Sequence, residues 1–168
     1  KTSKNINFNN LGAYIQLKAD GTYREFFKQG DKIISRSRSG EEYEYPVINN
    51  EMKNFPDGFY MGELTVKGIT NRSEGNGLIN SDEPPHDKII LDLWDYIEVN
   101  EYYQAQEKDR KNPCKTSYYQ RFETLYKIVN QRNKSNKLNN IKTIESKVVH
   151  NLKDALIQTS KWMDEGFE

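Results

Sequence analysis

Apolar and polar residues alternate most clearly in the first third of the chain. Residues 13–18 and 23–28 read as strands joined at Asp20-Gly21, and residues 32–38 as a third strand after the turn Gln29-Gly30-Asp31. The simplest arrangement of the three is an antiparallel meander. Residues 58–66 give another strand signal, residues 68–81 an irregular stretch rich in Gly, Asn and Ser, and residues 88–97 a strongly apolar strand. From residue 117 to 129 the period changes: Tyr119, Phe122, Leu125, Tyr126 and Val129 recur at helical spacing, and the polar run 130–140 that follows reads as a surface loop. Residues 141–149 return to strand-like composition. Asn151 then caps a last helix, with Asp154 at its third position, Leu152, Ala155, Leu156 and Met163 on its apolar side, and Gly166 as its stop. Strands first and helices interleaved later make an α+β pattern, an antiparallel-sheet-rich fold without repeats or a clear interdomain linker.

Composition narrows the possibilities. A chain of 168 residues is one domain or part of one, and although only 35% of it is apolar, its 11 Tyr, 7 Phe and 2 Trp can build a core. The 25 basic residues balance the 25 acidic ones, which excludes a generic polybasic binder but leaves room for a local basic groove. A local basic excess is present in the stretch from Arg24 to Arg38, where Arg24, Lys28, Lys32, Arg36 and Arg38 stand against only Glu25 and Asp31, a balance that suits a phosphate backbone and is also common on plain surfaces. Apolar runs such as the one from Ile89 to Trp94 are short and broken by aspartate, far from the ~20 residues that span a bilayer. No membrane association is expected. Cys114 is the single cysteine, and His86 and His150 are far apart, so neither a disulfide nor zinc-site spacing is available. The composition fits a reducing, cytoplasmic setting. The first residue is Lys1 rather than Met, and Phe167 and Glu168 start a new element, so the sequence reads as part of a longer chain.

The first candidate for chemistry is Lys18-Ala19-Asp20-Gly21, which sets a lysine between the apolar strand containing Tyr14, Ile15 and Leu17 and a tight turn. Taken alone, a surface lysine beside a turn explains it as well. Four further pieces follow in order: Ser37-Arg38-Ser39-Gly40-Glu41-Glu42-Tyr43, Gly62-Glu63-Leu64, Trp94-Asp95-Tyr96 and Glu165-Gly166-Phe167-Glu168. With Gln16-Leu17-Lys18-Ala19-Asp20-Gly21 these resemble, in the same order, motifs I, Ia, III, IIIa and the opening of motif IV of the ATP-dependent DNA ligases. The resemblance is strongest to those of large tailed bacteriophages, members of the covalent nucleotidyltransferase superfamily, and it runs over nearly the whole chain.

The resemblance implies an ATP-grasp-like adenylation domain, incomplete on its C-terminal side, with the N-terminal region and the oligonucleotide-binding domain absent from residues 1–168. It implies ATP and Mg²⁺ as cofactors, nicked double-stranded DNA as partner, and a monomer. Lys18 would attack the α-phosphate of ATP to form a lysyl adenylate, and the AMP would then pass to the 5′-phosphate of the nick. Gln16 and Leu17 would lie against the nucleotide, with Gln16 bonding the adenine amino group and Trp94 giving the base an aromatic face. Glu63 would bind the ribose or an ion, Glu168 would help hold the metal, and Arg38 would contact a nucleic-acid phosphate. The family carries an arginine five residues after the lysine, where this sequence has Tyr23. Along a strand, one step turns Arg24 to the opposite face, so Tyr23 is expected to offer its hydroxyl to the ribose while Arg24 points away.

Several other readings use the same residues. RNA ligases and capping-type nucleotidyltransferases share the covalent lysine. A non-catalytic nucleic-acid-binding module would need only the basic stretch. A metal-dependent nuclease could use Asp57 and Glu63, but it needs a lysine where Thr65 stands.

Overall fold

The computed structural model describes residue 8 and residues 12–107, 114–136 and 138–165. The elements in order are β1 (Ala13–Gln16), β2 (Thr22–Gln29), β3 (Lys32–Arg36), β4 (Glu42–Tyr43), α1 (Pro46–Met52), β5 (Gly58–Val66), α2 (Arg72–Ile79), β6 (Ile89–Ile97), α3 (Val99–Glu107), α4 (Tyr118–Asn136), β7 (Ile141–Thr143), β8 (Ser146–Val149) and α5 (Leu152–Asp164). The class is α+β, as the sequence predicts. The chain divides into two compact units, residues 20–143 and residues 1–19 with 144–168.

Residues 20–143 build a six-stranded sheet in the order β4-β3-β2-β5-β6-β7, antiparallel throughout except for the parallel pair β6–β7. β5 sits near its middle and shows why the sheet forms. Tyr60, Leu64 and Val66 are buried on one face, and Phe59 and Met61 on the other. A strand covered on both faces can be apolar at nearly every position. Beyond Met61 the second face turns polar, with Glu63 and Thr65 half-buried, so one strand runs from packed core to accessible wall. Phe27 stacks on Phe59 with centroids 4.7 Å apart, and Tyr23, Ile34, Trp94 and Tyr102 close around that pair and Met61.

Three expectations change in this unit. The stretch 68–81 holds a helix, α2, whose N-cap Asn71 accepts a hydrogen bond from the Glu74 N–H. Its three Asn and Gly residues after Glu74 lower helix propensity, and packing against β5 supplies what propensity does not. The run 130–140 is not all loop, because α4 continues to Asn136 before the chain turns into β7. β3 ends at Arg36, so Arg38 lies in the turn to β4 rather than on a strand.

In the other unit, β1 pairs antiparallel with β8, Gln16 opposite Ser146. β1 therefore does not extend the meander of β2 and β3: its partner lies about 130 residues further along the chain, a pairing that local pattern cannot reveal. The strand-like stretch 141–149 is split accordingly, β7 joining the large sheet and β8 the small one. In α5, Asn151 caps the Asp154 N–H at 2.9 Å, as expected. Its inward residues are Ala155 and Trp162, whose Nε1 donates to Glu145 at 3.0 Å, whereas Leu156 and Met163, expected on the packed side, stay 60% and 63% exposed. Gly166, the expected stop, lies outside the described residues.

Candidate nucleotide and phosphate site

β3 accompanies β2 only from Glu25, opposite Arg36, to the hairpin turn, which leaves Thr22, Tyr23 and Arg24 as an open edge. After Arg36 the chain turns back through residues 37–40. The Ser37 N–H donates to the Glu41 carbonyl at 2.9 Å, the Gly40 N–H donates to the Ser37 carbonyl at 3.0 Å, and Gly40 takes the left-handed φ of +91° that glycine alone adopts cheaply. A cavity of about 660 Å³ opens between this turn, the edge of β2 and α2, with Gly21, Tyr23, Arg24, Arg38, Glu63 and Arg72 in its wall.

Tyr23 faces Glu63 directly across the β2–β5 ladder, so the two side chains share one face of the sheet. Glu63 Oε2 accepts the Gly21 N–H at 2.8 Å, which ties Gly62-Glu63-Leu64 to the last residue of Lys18-Ala19-Asp20-Gly21. That closeness needs glycine, because a Cβ at Gly21 would run into the Leu64 carbonyl. Arg38, exposed at the tip of its turn, places its guanidinium carbon 5.2 Å from the centre of the Tyr23 ring. Burial pushes the Tyr23 hydroxyl up to about 12, with the charge of Glu25 adding to the rise and Arg38 opposing it. Tyr23 is therefore a neutral donor at neutral pH.

Trp94 stands behind this wall and packs on Tyr23, with centroids 6.2 Å apart and planes tilted by 42°. It falls where the β5–β6 register shifts between Met61 and Gly62. α4 fixes that irregularity. Tyr118 donates its hydroxyl to the Trp94 carbonyl at 2.7 Å, and Arg121 forks onto both oxygens of Asp95 at 2.9 and 2.8 Å.

Arg24 lies on the opposite face of β2 from Tyr23, as the register predicts, yet it too lines the cavity. Facing away does not take Arg24 out of the cavity wall, because the cavity opens at a free strand edge where side chains of both faces meet it. Arg24 is 2% exposed, packs 4.0 Å from the centre of the Tyr43 ring, and donates to Tyr45 Oη at 3.1 Å, the Tyr23 carbonyl at 2.9 Å and Asn80 Oδ1 at 2.7 Å. α2 supplies Asn80, Asn76 and Arg72, and Arg72 pairs with Asp20 at 3.1 Å. The sequence reading missed this helix, although Asn71 with Glu74 three residues later was its capping signal.

The structure thus brings Tyr23, Glu63 and Arg38 to one cavity with Trp94 behind it. Gln16, Leu17 and Lys18 belong to the other unit. There the Gln16 amide donates to Ser146 Oγ at 3.1 Å, the Leu17 N–H donates to the Glu145 carbonyl at 3.0 Å, and Lys18 is exposed. Glu168 lies outside the described residues. Among the described residues no group of three or more His, Cys, Asp and Glu side chains could hold a metal ion, and no helix is long and apolar enough to cross a membrane. Asp57, the other acid of the nuclease reading, is taken by Lys28 at 3.1 Å and by the Gly30 N–H at 3.0 Å.

No protein-family model and no curated protein matches the chain. Solved structures do. The chain is similar to Pmar-Lig_Pre, with a TM-score of 0.69 and 20% identity over 94% of this chain and 37% of that one. It is similar to the ATP-dependent DNA ligase from bacteriophage T7 in complex with ATP, with a TM-score of 0.65 and 12% identity over 89% of this chain and 52% of that one. For the Chlorella virus DNA ligase-adenylate the TM-score is 0.63 and the identity 16%, over 100% of this chain and 55% of that one. The chain therefore has the α+β fold found in DNA ligases and spans between about a third and just over half of the length of these solved chains.

Proposed function

We propose that the chain is the adenylation domain of an ATP-dependent DNA ligase, in which Lys18 becomes covalently adenylated and the AMP then activates the 5′-phosphate of a nick for sealing by the adjacent 3′-hydroxyl. The observation that carries this reading is the meeting of Tyr23, Glu63 and Arg38 at one cavity, in a fold shared with solved ligases. Arg38 and Glu63 come from two of the five motif-like segments and Tyr23 stands two residues after a third, so the three are far apart in sequence.

The Lys18 amine must be neutral to attack the α-phosphate, whereas a free lysine titrates near ~10.4, so cationic surroundings are required in the reacting state. In the attack a bond forms from Nζ to the α-phosphorus, the bond to the bridging oxygen breaks, and pyrophosphate departs with the electron pair. The chain's own contributions are orientation and charge. Gln16 would read the base and Trp94 would back it. Glu63, held by the Gly21 N–H, would accept from the ribose hydroxyls, and the neutral Tyr23 hydroxyl would donate to them. Arg38 would hold a phosphate of the DNA.

The donor set fits a divalent ion carried by the nucleotide better than a protein cage. Mg²⁺ is commonly bound through one or two carboxylates plus substrate phosphates, and Glu63 and Glu168 would be those carboxylates. Such an ion, when bound, offsets the negative charge of the phosphates.

Mass spectrometry after incubation with ATP and Mg²⁺ tests the reading. An AMP adduct on Lys18 is expected, lost in Lys18→Ala and equally in Lys18→Arg, because arginine stays protonated. An adduct that persists in Lys18→Ala would assign the nucleophile elsewhere. Absence of any adduct, with DNA binding retained, would favour a binding module.

A further inference from the structure

Arg24 is a buried charge with no carboxylate against it. It is 2% exposed, and among the described residues no acidic oxygen lies within ion-pairing distance of its guanidinium. Its acceptors are an amide oxygen, a phenol oxygen and a peptide carbonyl, and the Tyr43 ring covers it. All of these are neutral. They hold the guanidinium in place without cancelling its charge, and two of its five N–H groups have no partner among the described residues.

Burying an ion is costly unless a counter-charge meets it, and here the adjoining space is the cavity. The wall on this side of β2 adds Arg72, Asn76 and Asn80 from α2, with Thr22 donating its hydroxyl to Asn76 Oδ1 at 2.6 Å. Arg72 is already paired with Asp20. The one carboxylate in the wall, Glu63, stands opposite Tyr23 on the other face of β2 and accepts from Gly21.

We infer that the α2 side of this cavity is a phosphate subsite, separate from the Tyr23–Glu63 side, in which the buried Arg24 is the fixed positive charge and α2 supplies the polar wall through Arg72, Asn76 and Asn80. Its ligand is a phosphate group, and a nucleic-acid strand or the phosphate tail of a nucleotide could deliver it. The inference places an occupant within the cavity of the function proposed above.

Removing Arg24 would remove packing as well as charge, so the first variant leaves it in place. Asn80→Asp sets a carboxylate where Asn80 Oδ1 now accepts at 2.7 Å, neutralising Arg24 from inside the protein. Asn54→Asp, on the exposed surface beyond α1, adds the same charge elsewhere as a control. Two probes are titrated against the whole chain: inorganic pyrophosphate, followed by calorimetry, and a fluorescein-labelled duplex with a 5′-phosphorylated nick, followed by anisotropy.

Asn80→Asp is expected to weaken binding by about tenfold or more, the usual worth of a charge-assisted hydrogen bond, at an unchanged or raised melting temperature, while Asn54→Asp stays close to the parent chain. Weakening confined to pyrophosphate identifies the nucleotide tail as the ligand, and weakening confined to the duplex identifies the strand. Failure of the parent chain to bind either probe overturns the inference, as does an Asn80→Asp chain that binds both normally. The adenylation assay separates the two proposals. An adduct on Lys18 with an indifferent Asn80→Asp leaves the function and removes the subsite, and the converse result leaves a phosphate site without the ligase reading.

Discussion

Arg121 and Arg24 both bring a guanidinium into the body of residues 20–143, and the two differ in what meets the charge. Arg121, on α4, forks onto both oxygens of Asp95, with side-chain exposures of 15% and 8%, and also donates to the Thr116 carbonyl at 2.7 Å. Each ion completes the other, and the pair locks α4 to the stretch of β6 that carries Trp94. Arg24 is more deeply buried but is surrounded by neutral oxygens and two tyrosine rings at the edge of a cavity. Burial alone does not tell a structural arginine from one free to act on a ligand. The charge state of its partners does, because a cancelled charge projects little field and an uncancelled one projects into whatever space adjoins it.

The contrast is broken most directly at Arg121. Arg121→Met should destabilise the fold by about 3–5 kcal/mol, because it strands a buried carboxylate. Arg24→Met strands no carboxylate and should cost less, about 1–3 kcal/mol, as neutral partners lose their bonds. Urea unfolding of both variants measures the order. If Arg24→Met proves the more damaging, an unrecognised anion already balances Arg24.

Acid titration of stability sharpens the same point with two aspartates of opposite shift. Burial raises Asp92, with Lys142 and Thr65 opposing the rise, whereas Lys28 first and the Gly30 N–H second lower Asp57. A raised Asp binds more protons in the folded than in the unfolded state, so its contribution falls as pH rises from the ordinary aspartate range through the folded value. A lowered Asp contributes fully above the ordinary range and loses that contribution as pH falls through its folded value. Asp92→Asn should therefore remove a loss of stability just above the ordinary aspartate range, and Asp57→Asn a gain on rising from strong acid. Melting temperatures across pH 2–7 check both signs, and equal slopes in the two variants would contradict the assignment. The smallest effect belongs to the ring over Arg24, where Tyr43→Leu should cost about 0.5–1 kcal/mol by removing one cation–π face.

Much of the sheet was legible because its signals are local. β5 is found at the predicted 58–66, and β6 falls within one residue of the predicted 88–97, since each run carries its own apolar pattern. The cap at Asn151 was readable for the same reason, being a contact between residues three apart. The polar end of α4 was read as loop because exposed helical residues carry no apolar period to detect. α2 was hidden by its Gly and Asn residues, and only β5 beside it makes that stretch worth folding as a helix.

The sequence by itself determined the α+β class, the central strands, the order of the five motif-like segments and the alternation that sets Tyr23 and Arg24 on opposite faces of β2. Tertiary structure alone decided that β1 pairs with β8, that Arg38 sits in a turn, and that both faces of β2 reach one cavity at Thr22–Arg24. The physical reason is the range of the interactions. Alternation and capping are set by residues a few positions apart, whereas a strand edge becomes open, and a buried charge is left without a partner, through what distant segments do or do not bring beside it.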